Sequence, residues 1–230
     1  MRSFIVSKLN LTYLTKLAIA FTIILSSAGL VLASATSNFT QTITGGSLAV
    51  DIVDAGYATV GSPSVAMTNA AFSFACQTVT GTFGTAGEQI YITNPDAADN
   101  GWTVSLASGA ATNVWDGAAS DFDFNDPTGS GCTDGGDADS VGGQMTVDAS
   151  GGTLAAGQCD SCTTNNISKG ASGSFSQGVT DSITILTGAA NSDDIGDWSL
   201  TDVDISQKIP AEQGVANDYD INMTVSIVAS

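Results

Sequence analysis

The sequence predicts an all-β fold, a two-sheet antiparallel β-sandwich of about ten short strands preceded by an N-terminal signal helix. Three observations carry this. Beyond Ala35 no window places apolar residues at helical spacing behind a cap. Short segments rich in Val, Ile, Thr and aromatic residues instead alternate with period two, which lays one face on a core and the other in water. Between them stand turn formers, including Thr44 to Gly46, NPDAADNG from Asn94 to Gly101, and DASGG from Asp148 to Gly152.

In chain order, the leader comes first. Arg2, Lys8 and Lys16 precede an apolar run from Leu17 to Leu32 and the small-residue site Ala33-Ser34-Ala35. Charged region, apolar region and A-x-A site make a secretory signal over residues 1–35. The run is broken by Thr22, Ser26, Ser27 and Gly29 and falls short of the roughly 20 apolar residues of a spanning helix. Cleavage after Ala35 is expected; retention as an N-terminal membrane anchor is the alternative. The C-terminal NMTVSIVAS carries no sorting sequence, so covalent attachment to a wall is not expected.

Residues 36–230 then read as a single β-sandwich domain. The expected strands are SNFTQTIT, SLAVDIV, SVAMT, AFSFACQTV, EQIYIT, GWTVSLAS, GQMTVD, DSITILT, DWSLTDVDIS and YDINMTVSIVAS. The last is the clearest, with Ile221, Met223, Val225 and Ile227 on one face against Asn222, Thr224 and Ser226 on the other. Trp102 and Trp198 each open a strand and are expected as core anchors, because aromatic side chains dominate core burial.

The chain carries 23 acidic and 5 basic residues, no histidine, and a net charge of -18. All the acids lie beyond Ala35, where the bases are Lys169 and Lys208. Such a surface repels nucleic acid and anionic lipid, so neither is an expected partner, and a membrane would be met only through an uncleaved signal. Low charge density with abundant apolar residues argues for folding rather than disorder.

Two resemblances emerge. Gly101-Trp102-Thr103-Val104, Ile209-Pro210-Ala211 and a terminal alternating strand from Tyr219 resemble the WxL-type cell-surface domains of Gram-positive bacteria. Here Val104 replaces the usual leucine, the terminal strand has no tryptophan, and Trp198-Ser199-Leu200 lies earlier than the family's W-x-L. That resemblance implies binding to cell-wall polysaccharide. SATSNFTQTITGGSLAVDI is similar to the segment after the signal in TasA and camelysin-type secreted fibre proteins. This second resemblance implies a homopolymer in which an N-terminal strand is lent to the next subunit. SNFTQTIT could do so by β-augmentation, or pair within its own domain.

An acidic, Gly-rich loop insertion runs from Asp121 to Asp148, DFDFNDPTGSGCTDGGDADSVGGQMTVD. Asp137-Ala138-Asp139 followed by Gly142, with Asp148 eleven residues after Asp137, matches part of a calcium-loop spacing, although Val141 takes the fifth position. Asp121, Asp123 and Asn125 alternate, and Asp126 and Asp134 stand where they could close a site from the next turn. Phe122 and Phe124 are expected in the core. The oxygen-only donor set fits calcium, which takes hard oxygen ligands, and disfavours zinc or copper. A solvated acidic loop is the competing reading.

Without histidine no Ser-His-Asp set or zincin motif can be built, and no Gly-x-Ser-x-Gly elbow occurs. A glycosidase-type carboxylate pair would need a substrate cleft lined by aromatics, for which Trp115 is the nearest tryptophan. An enzyme is therefore not expected. Cys76, Cys132, Cys159 and Cys162 form an even set in an exported chain and are expected as two disulfides. Cys132 could pair with Cys159 or Cys162 and pin the acidic loop, or Cys159 could close on Cys162 with Cys76 joined to Cys132. The expectation is a secreted, cell-surface structural protein stapled by calcium and disulfides, with a wall-polysaccharide-binding module as the alternative.

Overall fold

In a computed structural model the protein is described at Lys16 and over residues 40–97, 99–136 and 139–230. The expected signal segment, apart from Lys16, lies outside the described residues, as do Ser37 to Phe39 and Asp137. The chain divides into two compact units, Met1–Ile43 and Thr44–Ser230; the second holds every strand described below.

In chain order the strands are β1 (Ala49–Val53), β2 (Gln77–Phe83), β3 (Gln89–Asn94), β4 (Trp102–Ser108), β5 (Val114–Trp115), β6 (Phe122–Asp123), β7 (Gln144–Asp148), β8 (Thr153–Ala156), β9 (Ile167–Lys169), β10 (Gly173–Ser174), β11 (Ser182–Gly188), β12 (Gly196–Thr201), β13 (Val203–Ile209) and β14 (Met223–Ala229). Every ladder between them is antiparallel. Beyond Thr40 the described residues form no α-helix; one 3-10 turn spans Thr128–Ser130. The fold is all-β, as the alternation requires. Among the described residues no helix is long and apolar enough to cross a membrane.

The ladders fall into three four-stranded sheets, ordered β1-β3-β12-β8, β10-β7-β13-β2 and β14-β4-β11-β9, with β5-β6 as a separate ribbon. Their inner faces build one core. Ile90 and Ile92 come from β3, Trp102 and Val104 from β4, Val147 from β7, Ile185 and Leu186 from β11, and Trp198 and Leu200 from β12, all fully buried. The two tryptophans meet with ring centroids 5.6 Å apart, one from the first sheet and one from the third. Gly188 and Gly196 leave room for them, since a Cβ at either would overlap a tryptophan ring.

Several expected strands are redrawn. DWSLTDVDIS is two strands, because the chain changes sheet at Asp202, whose φ is 60° and whose N–H donates to the Gly84 carbonyl at 2.9 Å. The inward parity moves there from Trp198 and Leu200 to Val203 and Ile205. In β11 the register shifts between Thr184 and Leu186, a bulge that lets the adjacent Ile185 and Leu186 both be buried. SVAMT forms no ladder and reaches β2 through the Thr68 N–H, which donates to the Thr80 carbonyl at 2.7 Å. Regular pairing in AFSFACQTV begins only at Gln77, leaving Phe72 and Phe74 exposed upstream.

Candidate functional site: an open seam and the acidic loop

The acidic stretch begins on the short β5-β6 ribbon and ends on β7. Asp121 is exposed, and its Oδ1 accepts the Gly117 N–H at 3.3 Å. Asp123 and Asn125 are fully buried. The Asp123 Oδ1 accepts the Phe124 N–H at 2.6 Å. Asn125 Nδ2 donates to the Ala111 carbonyl at 2.9 Å, while its Oδ1 is buried with no hydrogen-bond partner. Phe122 and Phe124 are core residues, as the alternation implies.

The other described carboxylates of the stretch close turns. Asp126 is buried and accepts the Thr128 N–H on Oδ1 at 2.8 Å and the Gly135 N–H on Oδ2 at 2.7 Å, clamping the two ends of an intervening loop. Asp134 accepts the Gly136 N–H at 2.7 Å, and Asp139 the Val141 N–H at 3.3 Å. Asp148, at the end of β7, accepts both the N–H and the hydroxyl of Ser150, at 2.9 and 2.6 Å. Those bonds favour its ionised form and lower its pKa from the ordinary carboxylate value. Gly143, with φ 142°, packs so closely on the Asp123 backbone that no side chain fits.

Of the eight expected calcium ligands, Asp137 lies outside the described residues, and Asp126, Asp134, Asp139 and Asp148 each accept backbone N–H groups in their own turns. Among the described residues, the grouping of three His, Cys, Asp or Glu ligand atoms within 4.8 Å of one another is Cys159, Cys162 and Asp197, elsewhere in the fold. Sequence reasoning did not connect Asp197 with the cysteines, because the residues that join them come together only through the β12-β8 pairing.

The cysteines adopt the second of the two open pairings. Cys76 bonds Cys132 across a sequence separation of 56, with Cα atoms 5.7 Å apart, and Cys159 bonds Cys162. The long bridge fastens the acidic loop to the residue preceding β2. By the chain-entropy argument, closing a loop of that length stabilises the native state by about 4 kcal/mol.

The other feature is an incompletely covered core edge. β1 and β14 are each the terminal strand of a different sheet. Both line a cavity of about 590 Å³ whose walls include Val50, Val65, Phe83, Leu106, Met223 and Val225. The expected inward face of β14 is only half-buried at Met223, Val225 and Ile227, whereas Val104 and Trp102 on neighbouring β4 are fully buried. β14 presents backbone N–H and C=O groups with no ladder partner on its outer side, whereas the outer edge of β1 is partly taken, with Val53 bridged to Thr59 and the Val60 N–H donating to the Ile52 carbonyl at 2.9 Å. Of the N-terminal SNFTQTIT, residues Thr40 to Thr44 are exposed and belong to no strand, with Ile43 91% exposed.

A second cavity of about 540 Å³ is lined by Phe72, Trp115, Phe122, Gln207, Gln213 and Tyr219 among others. Trp115 stacks on Phe122 at 5.6 Å and 11°, and Phe122 meets Tyr219 edge-on at 5.1 Å. Trp115 Nε1 donates to Gln207 Oε1 at 3.0 Å, and the Tyr219 hydroxyl donates to the Gly214 carbonyl at 2.6 Å. The ring set is therefore held in place from both ends. Family models, curated proteins and solved structures give no match to this chain.

Proposed function

We propose that the chain is an exported, non-catalytic structural subunit of the cell surface that assembles with copies of itself. In this reading Thr40 to Gly46 of one copy enters the seam between β1 and β14 of the next. The observation that carries it is the conjunction of an exposed segment that bears Ile43, belongs to no strand and is held at Gly46 by its N–H bond to the Pro95 carbonyl, with a largely apolar seam bounded by two terminal strands. A strand laid there would gain backbone hydrogen bonds from the free edge of β14 and bury alternate side chains against Val50, Met223 and Val225. The resemblance of SATSNFTQTITGGSLAVDI to the TasA and camelysin-type fibre proteins points the same way. Two disulfides suit an oxidising, extracellular location.

In finer detail we read the sheets as layers of a β-sandwich, supported by the contact of Trp102 with Trp198 between strands of different sheets. Calcium belongs to the same reading as an ion that neutralises the acidic surface around Asp134, Asp137 and Asp139, supported by their oxygen-only donors and a charge of -18. Negative-stain microscopy of the purified mature protein with Ca²⁺ tests assembly: filaments or ordered arrays are expected, and a field of monomers overturns the proposal.

A second reading rests on the aromatic cavity. Trp115, Phe122 and Tyr219 beside the amides of Gln207 and Gln213 offer ring faces and hydrogen-bonding groups of the kind that hold a sugar, which favours a WxL-like module that binds cell-wall polysaccharide. Co-sedimentation with wall material is the expected result, and recovery entirely in the supernatant removes this reading.

A further inference from the structure

On the face of the first sheet opposite Trp198 and Leu200, β3 and β12 bring Tyr91 and Asp197 together beneath the Cys159-Asp160-Ser161-Cys162 loop. Asp197 is 8% exposed. Its Oδ1 accepts the Cys159 N–H at 2.9 Å, and its Oδ2 accepts the Gln158 N–H at 2.6 Å and the Tyr91 hydroxyl. Gln158 Nε2 in turn donates to the Tyr91 oxygen at 3.1 Å. The Sγ atoms of Cys159 and Cys162 and a carboxylate oxygen of Asp197 all lie within 4.8 Å of one another.

Two glycines permit this convergence. A Cβ at Gly157 would overlap the Asp197 carboxylate and press on the Tyr91 ring, and one at Gly196 would stand 2.9 Å from the Cys162 Sγ. Both cysteines are half-buried rather than sealed, so a small reductant and an ion can reach them.

We propose that, when its local disulfide is reduced, this loop binds one thiophilic divalent cation of the zinc class through Cys159, Cys162 and Asp197. In the oxidised form the two sulfurs are bonded to each other and cannot serve as thiolate ligands. A dithiol cleaves the S–S bond by giving up two electrons and two protons and becomes a disulfide itself. The cation then displaces the two thiol protons. A tetrahedral ion with sulfur ligands at about 2.3 Å sets them roughly 4 Å apart, so the two sulfurs, bonded in the oxidised form, separate on reduction while their Cα atoms stand 5.6 Å apart.

Electrostatics favours a cation over a thiol-exchange centre here. A reactive C-x-x-C sits where positive charge or a helix N-terminus stabilises a thiolate, whereas this pair stands beside a buried carboxylate. Two thiolates and a carboxylate in that space repel one another unless an ion neutralises them. The Tyr91 hydroxyl and two backbone N–H groups fix the carboxylate, as outer partners commonly fix metal-binding groups. Three protein ligands leave a fourth position for water.

The test reduces the full mature protein with a phosphine, which takes up the oxygen of water in the same two-electron cleavage, and then titrates it anaerobically with Co²⁺. One Co²⁺ per chain is expected, with thiolate-to-cobalt charge-transfer absorption that Zn²⁺ abolishes. The band should vanish in Cys159→Ser with Cys162→Ser and persist in Cys76→Ser with Cys132→Ser. Asp197→Asn should weaken binding at least about tenfold, and Tyr91→Phe, which keeps all three ligands, by about tenfold. A reduced protein without the band, a band that survives loss of Cys159 and Cys162, or unchanged affinity in both Asp197→Asn and Tyr91→Phe overturns the proposal.

Discussion

Trp198 donates its indole N–H to the Thr163 carbonyl at 2.8 Å, so the ring that anchors the core on β12 also ties down the chain just beyond the Cys159–Cys162 loop. Core packing and loop position are thereby coupled through one side chain. Trp198→Ala removes a fully buried ring and should cost about 3–5 kcal/mol of stability, read as a lower urea midpoint. A loss below about 1 kcal/mol would show that the ring is not the anchor described.

The two disulfides should differ in weight. Replacing Cys76 and Cys132 by serine opens a closure spanning 56 positions, and replacing Cys159 and Cys162 opens one spanning 3. Chain entropy gives about 4 and about 2 kcal/mol respectively. Equilibrium unfolding of both double variants checks this, and an equal or reversed ranking contradicts it.

Tyr91 should titrate late. Burial, then its hydrogen bond to Asp197, pushes its pKa from 10.0 up to about 12. Because the folded value lies above the unfolded one, the associated stability is fully present below pH 10.0 and disappears as pH climbs through about 12. The absorbance difference between the wild type and Tyr91→Phe reports the titration. A midpoint near the ordinary tyrosine value would rule out the Tyr91–Asp197 bond.

Calcium binding makes a thermal prediction. An ion bound only to the native state stabilises it by mass action, so EDTA should lower the Tm, and Asp137→Asn with Asp139→Asn should abolish the difference. An identical melting curve with and without EDTA would falsify the calcium reading.

Part of the fold was legible because β4, β7 and β14 bury alternate residues. The inward face of β14 was marked from the alternation, whereas in β3 the consecutive Ile90, Tyr91 and Ile92 are all buried, and the two strands that meet at Asp202 were read as one. The short pairings of β5, β6, β9 and β10 were missed, since two or three residues carry no period; their ladders depend on distant partners. The turns of the acidic loop were not legible for a related reason. Asp126 and Asp148 look like ligands in a string of letters, and only folding reveals that they also accept the backbone N–H groups of Gly135 and Ser150. The site at Asp197 was hidden altogether, because one aspartate among many is singled out only when β12 pairs with β8 and brings the cysteine loop over it. Nor could alternation tell that the β14 face is half-covered, for it marks which way a side chain points and not what lies beyond it.

The central claim, that Thr40 to Gly46 of one copy fills the seam of another, is tested most directly by comparing wild type with Ile43→Asp, both as mature proteins, by negative-stain microscopy and sedimentation velocity. Ile43 is 91% exposed, so the substitution should leave the melting curve of the subunit unchanged while a charge is refused by the apolar seam. The account predicts filaments or arrays for the wild type and monomers for Ile43→Asp; equal assembly by both proteins, or none by either, contradicts it.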